Sequence, residues 1–276
     1  MSRRQVKGAA VRRELLPGTS PGLLKELHLL TRDGDLNADS LRKLKQVNHL
    51  AALLAPAVED VLSRFGSPVL VDCGAGKSYL GFILYELFLR DAGKGTLLAV
   101  EARPELARAG AERAGRLGFD RLRTLEATIE SAPVPPRVHL VTALHACDTA
   151  TDDALGLAIR HGADHVAVVP CCQAEVARLL AEAPAPDPLL EPLFAHPWHR
   201  REFGSHLTNV VRALVLEAHG YRVTVTELTG WEHSVKNELI LGKKVRPSSP
   251  EARARLERLV RAAGVRPKLV RMLEDG

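Results

Sequence analysis

The sequence predicts an α/β fold: a doubly wound, mostly parallel seven-stranded sheet with an antiparallel edge hairpin, preceded by a helical N-terminal extension. Three observations predict it. From residue 68 onward, short apolar runs alternate with longer helix-compatible segments, the pattern of parallel strands joined by crossover helices. The first run, Val69-Leu70-Val71-Asp72-Cys73, leads into Gly74-Ala75-Gly76-Lys77-Ser78-Tyr79, which reads as strand, glycine turn and helix start. The last two runs, Tyr221 to Leu228 and Leu239 to Val245, are joined by a short connection, which suggests a hairpin at the sheet edge.

Taken in order, residues 1 to about 22 carry Arg3, Arg4, Lys7, Arg12 and Arg13, interrupted by Pro17-Gly18 and Pro21-Gly22, and read as a loose basic arm. Leu23 to Leu30 forms a short helix. A longer helix, capped by Asp39 or Ser40, runs through Leu41, Leu44, Val47, Leu50, Leu53 and Leu54 at helical spacing. Pro56 kinks or restarts it. Lys43, Lys45, Gln46 and His49 decorate a face that reads as solvated, or alternatively as facing a substrate. The second strand is Thr96 to Glu101 and the third Leu122 to Glu126, with a helix from Pro104 to Leu117 between them, stopped by Gly118. Val138 to Leu144 and His165 to Val169 are the fourth and fifth strands. Helices follow from Ala174 to Ala181, from about Leu207 to His219, and from Pro250 to about Ala263. This divides the chain into an arm and helical extension (1–66), a sheet domain (67–245) and a basic C-terminal helix (246–276).

The chain has 276 residues, of which 46% are hydrophobic, enough for one large core. No apolar run reaches the length of a membrane span, and no signal-peptide hydrophobic region follows the basic N-terminus, so a cytoplasmic protein is expected. The four cysteines include no CxxC pair, which indicates neither a zinc ribbon nor a disulfide framework. A net charge of +5 fits an anionic partner such as RNA, or a plain Arg-rich bias.

The glycine turn carries the functional reading. Gly74 and Gly76 let a ligand approach the backbone closely, and the helix N-terminus beyond offers unpaired N–H groups. Asp72 lies at the C-terminal end of its strand, where ligands bind in open α/β sheets. Glu101 ends the second strand at a distance that fits one helix plus one strand, and an acid there accepts hydrogen bonds from ribose hydroxyls. Gly76-Lys77-Ser78 also resembles the end of a phosphate loop. However, Val71 stands where that motif needs a glycine, so a nucleoside-binding turn is preferred.

Three strand-end motifs stand together: Asp72-Cys73-Gly74-Ala75-Gly76-Lys77, Leu144-His145-Ala146-Cys147-Asp148-Thr149-Ala150-Thr151-Asp152, and Pro170-Cys171-Cys172-Gln173. Together they resemble class I S-adenosylmethionine-dependent methyltransferases, whose fold is Rossmann-like. Within that class they are similar to the methyltransferase domain of the glutathione S-transferase C-terminal domain-containing protein. More distantly, they are similar to tRNA 2′-O-ribose methyltransferases with a His-x-Cys-Gly-x-Ala-Thr-Asp motif, where this chain has Asp148 in place of the Gly. The resemblance covers roughly Leu41 to Val245. It implies that Asp72, Gly74 and Gly76 hold the methionine part of S-adenosylmethionine and Glu101 its ribose, and that Leu144, His145 and Ile129 line its methionyl or adenine end. Lys77 belongs to the same turn and either pairs with an acid or faces a substrate phosphate.

Methyl transfer is an in-line displacement in which positioning supplies much of the rate. A hydroxyl or amine acceptor also needs a base, for which His145, Asp148 and Lys236 are the candidates. Cys73, Cys147, Cys171 and Cys172 fall at the ends of strands one, four and five, neighbours in a doubly wound order. They read as small apolar filler, with a metal or iron–sulfur site, whose ligands usually show tighter spacing, and nucleophilic catalysis by cysteine as the alternatives; no metal ligand set is assigned. RNA is the expected partner: the basic arm, His199-Arg200-Arg201, and Arg253, Arg255, Arg258 and Arg261 offer cations, although aromatics make up only 4% of the chain. The alternatives are a small-molecule or protein acceptor, a non-catalytic RNA-binding or assembly factor, and a nucleotide-triphosphate-binding enzyme.

Overall fold

The structure is a computed structural model that describes residues 13–30, 35–171, 173–182, 188–228 and 238–274. Helix α1 spans Pro21–Glu26 and α2 Ala38–Arg64. Strand β1 (Val69–Cys73) leads to α3 (Tyr79–Leu84), which continues through a π-helical turn at Tyr85–Leu89 and ends at Ala92. Then come β2 (Thr96–Glu101), α4 (Pro104–Leu117), β3 (Leu122–Glu126), β4 (Leu140–Cys147), α5 (Ala150–Arg160) and β5 (His165–Cys171). The chain continues with α6 (Glu175–Glu182), α7 (Glu191–Ala195), α8 (Pro197–Ala218), β6 (Tyr221–Glu227), β7 (Glu238–Lys244), α9 (Pro250–Ala263) and α10 (Lys268–Glu274).

One seven-stranded sheet has the order β3-β2-β1-β4-β5-β7-β6. The pairs from β3 to β5 are parallel, and β7 is antiparallel to both β5 and β6, as expected for this fold. Strand order reverses between β1 and β4, so the ends of those two strands frame a crevice for a ligand. Alternate residues face opposite layers. Leu70, Leu97 and Leu140 pack with α1, α2 and α3, whereas Val71, Leu98 and Val141 pack with α5, α8, α9 and α10. Burial on both faces explains why these strands read as continuous apolar runs.

The N-terminal region departs from the sequence reading in three places. Residues 1–12 of the expected loose arm lie outside the described residues, but the arm is anchored at Leu15, which is fully buried and whose N–H and carbonyl both bond Asn48 on α2. The cap of α2 is Asn37, whose side chain accepts from Ser40 N, rather than Asp39 or Ser40. Helix α2 also runs unbroken through Pro56. The buried Leu50, Leu54, Val58 and Val61 on either side of the proline hold the helix, while its missing N–H removes only one hydrogen bond. At the foot of α2, Asp60 accepts from His165 Nε2 (2.7 Å) on β5 and Lys243 Nζ (3.3 Å) on β7, and pairs with Arg64 (2.9 Å). Burial pushes the Asp60 carboxyl up, but these donors outweigh it and hold it at about 2.

Elsewhere the strands lie close to their expected positions. Strand β4 runs three residues further than expected, through a bulge between Leu144 and Cys147. Helix α8 begins at Pro197, ten residues before the expected start, so the His199-Arg200-Arg201 block is helical. The α8–β6 turn depends on Gly220 (φ +82°), where an added Cβ would collide with the carbonyl oxygen of Arg246. Gly220→Ala is expected to destabilise the fold by more than about 3 kcal/mol, combining φ strain with a backbone clash. Urea unfolding measures this, and a loss below about 1 kcal/mol would contradict the turn geometry.

Candidate functional site

The glycine turn sits at the crevice. Gly74 (φ +61°), Gly76 (φ +58°) and Ser78 (φ +58°) are left-handed, and Ala75 N bonds the Val100 carbonyl at the end of β2. A Cβ on Gly74 would touch the Ala146 side chain at 3.5 Å, and one on Gly76 would touch Arg103 at 3.8 Å. The turn is therefore a backbone-lined cradle pressed against the end of β4. Ser78 occupies a left-handed position that favours glycine, and its buried hydroxyl has no hydrogen-bond partner among the described residues. Lys77 is exposed, and its carbonyl accepts from Arg113 (2.9 Å).

Asp72 lies beneath the turn. It is 2% exposed, and its carboxylate accepts from Thr142 Oγ1 (2.8 Å) and from the Gly81 N–H, tying β1 to β4 and to the start of α3. Burial pushes its carboxyl from 3.8 to about 6. The folded state therefore binds this proton more tightly than the unfolded chain, and stability falls as pH rises through that interval. Asp72→Asn removes the titration. The variant is expected to gain about 3 kcal/mol on the wild type between pH 4 and pH 7, as read by urea unfolding at each pH. A difference that does not change with pH would show that Asp72 is not desolvated.

Glu101 ends β2 with 5% exposure. It accepts from Gly76 N (2.6 Å), Arg103 N (3.0 Å) and Arg103 Nε (2.8 Å). Burial raises its carboxyl, but these donors prevail and the net shift is downward, so it stays ionised as an acceptor at neutral pH. The loop after β3 returns over β2 through Ala127 N to the Glu101 carbonyl (3.1 Å) and carries the buried Ile129. A nucleoside fits this set: a carboxylate beside a Cβ-free cradle, with an apolar residue beyond. The Arg103 side chain, mostly exposed, would have to release the carboxylate for a ribose.

At the end of β4, the bulge carries half-buried Leu144 and the backbone of His145; the His145 side chain is outside the described set, as are Lys236 and Cys172. The structure puts Asp148 (φ +49°) to work on α6: its carboxylate accepts from Ala174 N (2.9 Å) and Glu175 N (3.0 Å). The Ala150-Thr151-Asp152 run secures the other side. Thr151 Oγ1 donates to the Ala146 carbonyl (2.6 Å), and Asp152 meets Arg212 Nε (2.7 Å). Arg212 on α8 is 1% exposed and also donates to the Asp148 carbonyl (2.7 Å) and to Asn209 (3.2 Å). Burial raises the Asp152 carboxyl against the pull of Arg212. Thr142 and Arg212 were not found from the sequence because their partners are remote in the chain, and Arg103 because it belongs to no motif.

Two of the described cysteines depart from the filler reading. Cys73 is buried, and burial pushes its thiol up, but Cys147 is exposed and Cys171 half-exposed. Among the described residues, no three His, Cys, Asp or Glu side chains gather as a metal-ligand group. Beside the end of β5, a cavity of about 400 Å³ is lined by Pro170, Gln173, Ser205, Asn209 and Glu238 among others. Helix α8 lines it through Glu202, Ser205, His206 and Asn209 and begins beyond it. There Trp198 is 64% exposed, with the Arg201 guanidinium 4.3 Å from its ring centre and His196 and His199 adjacent.

The model of a methyltransferase-domain family matches residues 42–179, half of the chain. No curated protein matches the chain in sequence. Similar solved structures include an rRNA methylase from Streptococcus thermophilus, with 12% identity and a TM-score of 0.47 over 70% of this chain and 95% of that one. Another is the methyltransferase PaMTH1 of Podospora anserina with SAH bound, with 14% identity and a TM-score of 0.46 over 82% and 88% of the two chains. A third is the 23S rRNA methyltransferase ErmE, with 14% identity and a TM-score of 0.44 over 75% and 72%. Among the described residues, no helix is long and apolar enough to cross a membrane. With the family model spanning the glycine turn, Glu101 and the bulged end of β4, the chain belongs to the methyltransferase-domain family, and S-adenosylmethionine is its cofactor.

Proposed function

We propose that this protein transfers the methyl group of S-adenosylmethionine to RNA in the cytoplasm, with residues 67–245 as the catalytic domain. The observation that carries the RNA acceptor is the top of α8. Trp198 presents an open ring face backed by the Arg201 guanidinium, one turn before Glu202, which lines the cavity beside the end of β5. A base stacks on such a face whatever its identity, at about 1–3 kcal/mol per base.

When bound, the cofactor supplies an electrophilic methyl group. Glu101 would hold the ribose hydroxyls, Gly74 and Gly76 would admit the amino-acid tail, and Asp72 would keep the turn in place through Thr142 and Gly81. Asp148 and Arg212 would fix the end of β4, which carries His145 as the proposed base for the acceptor, with Lys236 the other candidate. Aligning acceptor and donor is the main contribution asked of the protein.

Methylation of total RNA with a radiolabelled methyl donor tests the reading. Label in RNA from wild type, reduced about tenfold or more in Trp198→Ala by loss of one stacked base, is the expected result. Label only in protein or small molecules moves the acceptor elsewhere. S-adenosylhomocysteine binding without turnover on any RNA indicates a non-catalytic RNA-binding factor. Thermal stabilisation by Mg-ATP alone would return the turn to a phosphate-loop reading.

A further inference from the structure

Cys147 and Cys171 are partners across β4 and β5, and their Sγ atoms stand 3.4 Å apart. Adjacent strands lie about 4.8 Å apart, within the Cα separation of about 4.4–6.8 Å that a disulfide needs. Both strand ends are already held in register by Asp148 on the N-terminus of α6 and by Thr151 on Ala146. Cys147 is open to solvent, whereas Cys73 is buried below the turn.

We propose that Cys147 and Cys171 form a redox modification site, a dithiol that an oxidant of the peroxide class closes to a disulfide beside the cofactor cradle. The Cys147 thiolate attacks a peroxide oxygen, the O–O bond breaks, and hydroxide leaves to take up a proton, giving a sulfenic acid. The Cys171 thiolate then attacks that sulfur and expels a second hydroxide. Overall, two thiols and one hydrogen peroxide give one disulfide and two waters, and a thiol reductant reverses it. The site is coupled to the cofactor through Ala146, which precedes Cys147 and backs Gly74 at contact distance. Drawing the sulfurs together shifts that wall and weakens cofactor binding, by about tenfold on the scale of ordinary site-to-site coupling.

The test uses the full chain, reduced and then treated with equimolar hydrogen peroxide. Peptide mapping by mass spectrometry is expected to recover a Cys147–Cys171 crosslink that dithiothreitol removes and that is absent from Cys147→Ser and from Cys171→Ser. Calorimetry is expected to give about tenfold weaker S-adenosylhomocysteine binding in the oxidised protein, with no oxidant effect in the double variant. Retention of both thiols, or a crosslink through Cys172 or Cys73 instead, overturns the site, and unchanged affinity in the crosslinked protein overturns its coupling. The methyltransferase reading fails separately: reduced protein that does not bind S-adenosylhomocysteine counts against it, while the peptide map still decides the disulfide.

Discussion

Arg212→Met is expected to lower folding stability by about 3–5 kcal/mol, the cost of leaving a buried charge without its partner. Arg212 and Asp152 are both almost wholly inaccessible, 1% and 2% exposed, and meet at 2.7 Å. Methionine fills similar volume, so the loss reports on charge rather than on a cavity. Asp152 then retains a desolvated carboxylate with no cation, while the Asp148 carbonyl and Asn209 each lose a donor. Urea unfolding measures the effect. Arg212→Met combined with Asp152→Leu, which removes both charges, should recover most of the loss. A single-variant loss below about 1 kcal/mol would mean that the guanidinium is dispensable.

Glu101→Ala should weaken S-adenosylhomocysteine binding roughly 100-fold, from two charge-assisted hydrogen bonds to ribose at about 1.5 kcal/mol each. The variant also frees Gly76 N and Arg103, so its melting temperature without ligand must be compared with wild type to separate folding from binding. Arg103→Ala supplies the opposite sign. Removing the cation that already occupies the carboxylate should leave affinity equal or tighter. Calorimetric titration of both variants decides the matter, and near-wild-type affinity in Glu101→Ala would remove this residue from the cofactor site.

The sheet was legible because its strands are buried on both faces and contrast with the helices between them. β1, β2 and β3 start or end where the apolar runs do, and Gly118 ends α4 as its left-handed conformation requires. The glycine turn and Glu101 were legible because adjacent residues encode them. What could not be read was partnership across distance. Thr142 meets Asp72 from 70 residues away and Arg212 meets Asp152 from 60, and no spacing rule connects them. The Ala-Thr-Asp run stood out, but its work of pinning the end of β4 emerged only when Thr151 and Asp152 had visible partners. Pro56 does not restart α2, because packing on both sides outweighs its local effect.

The junction at the foot of α2 bears on how this chain is made. Asp60 is joined to a residue 105 positions later and to another 183 positions later. A ribosome adding about 5–20 residues per second exposes α2 for roughly 10–40 seconds before Lys243 exists to meet it. Throughout that time the apolar stripe of the helix faces an incomplete sheet. Helix α2 is thus synthesised well before it can be locked, and a chaperone that shields it would act during translation rather than after release.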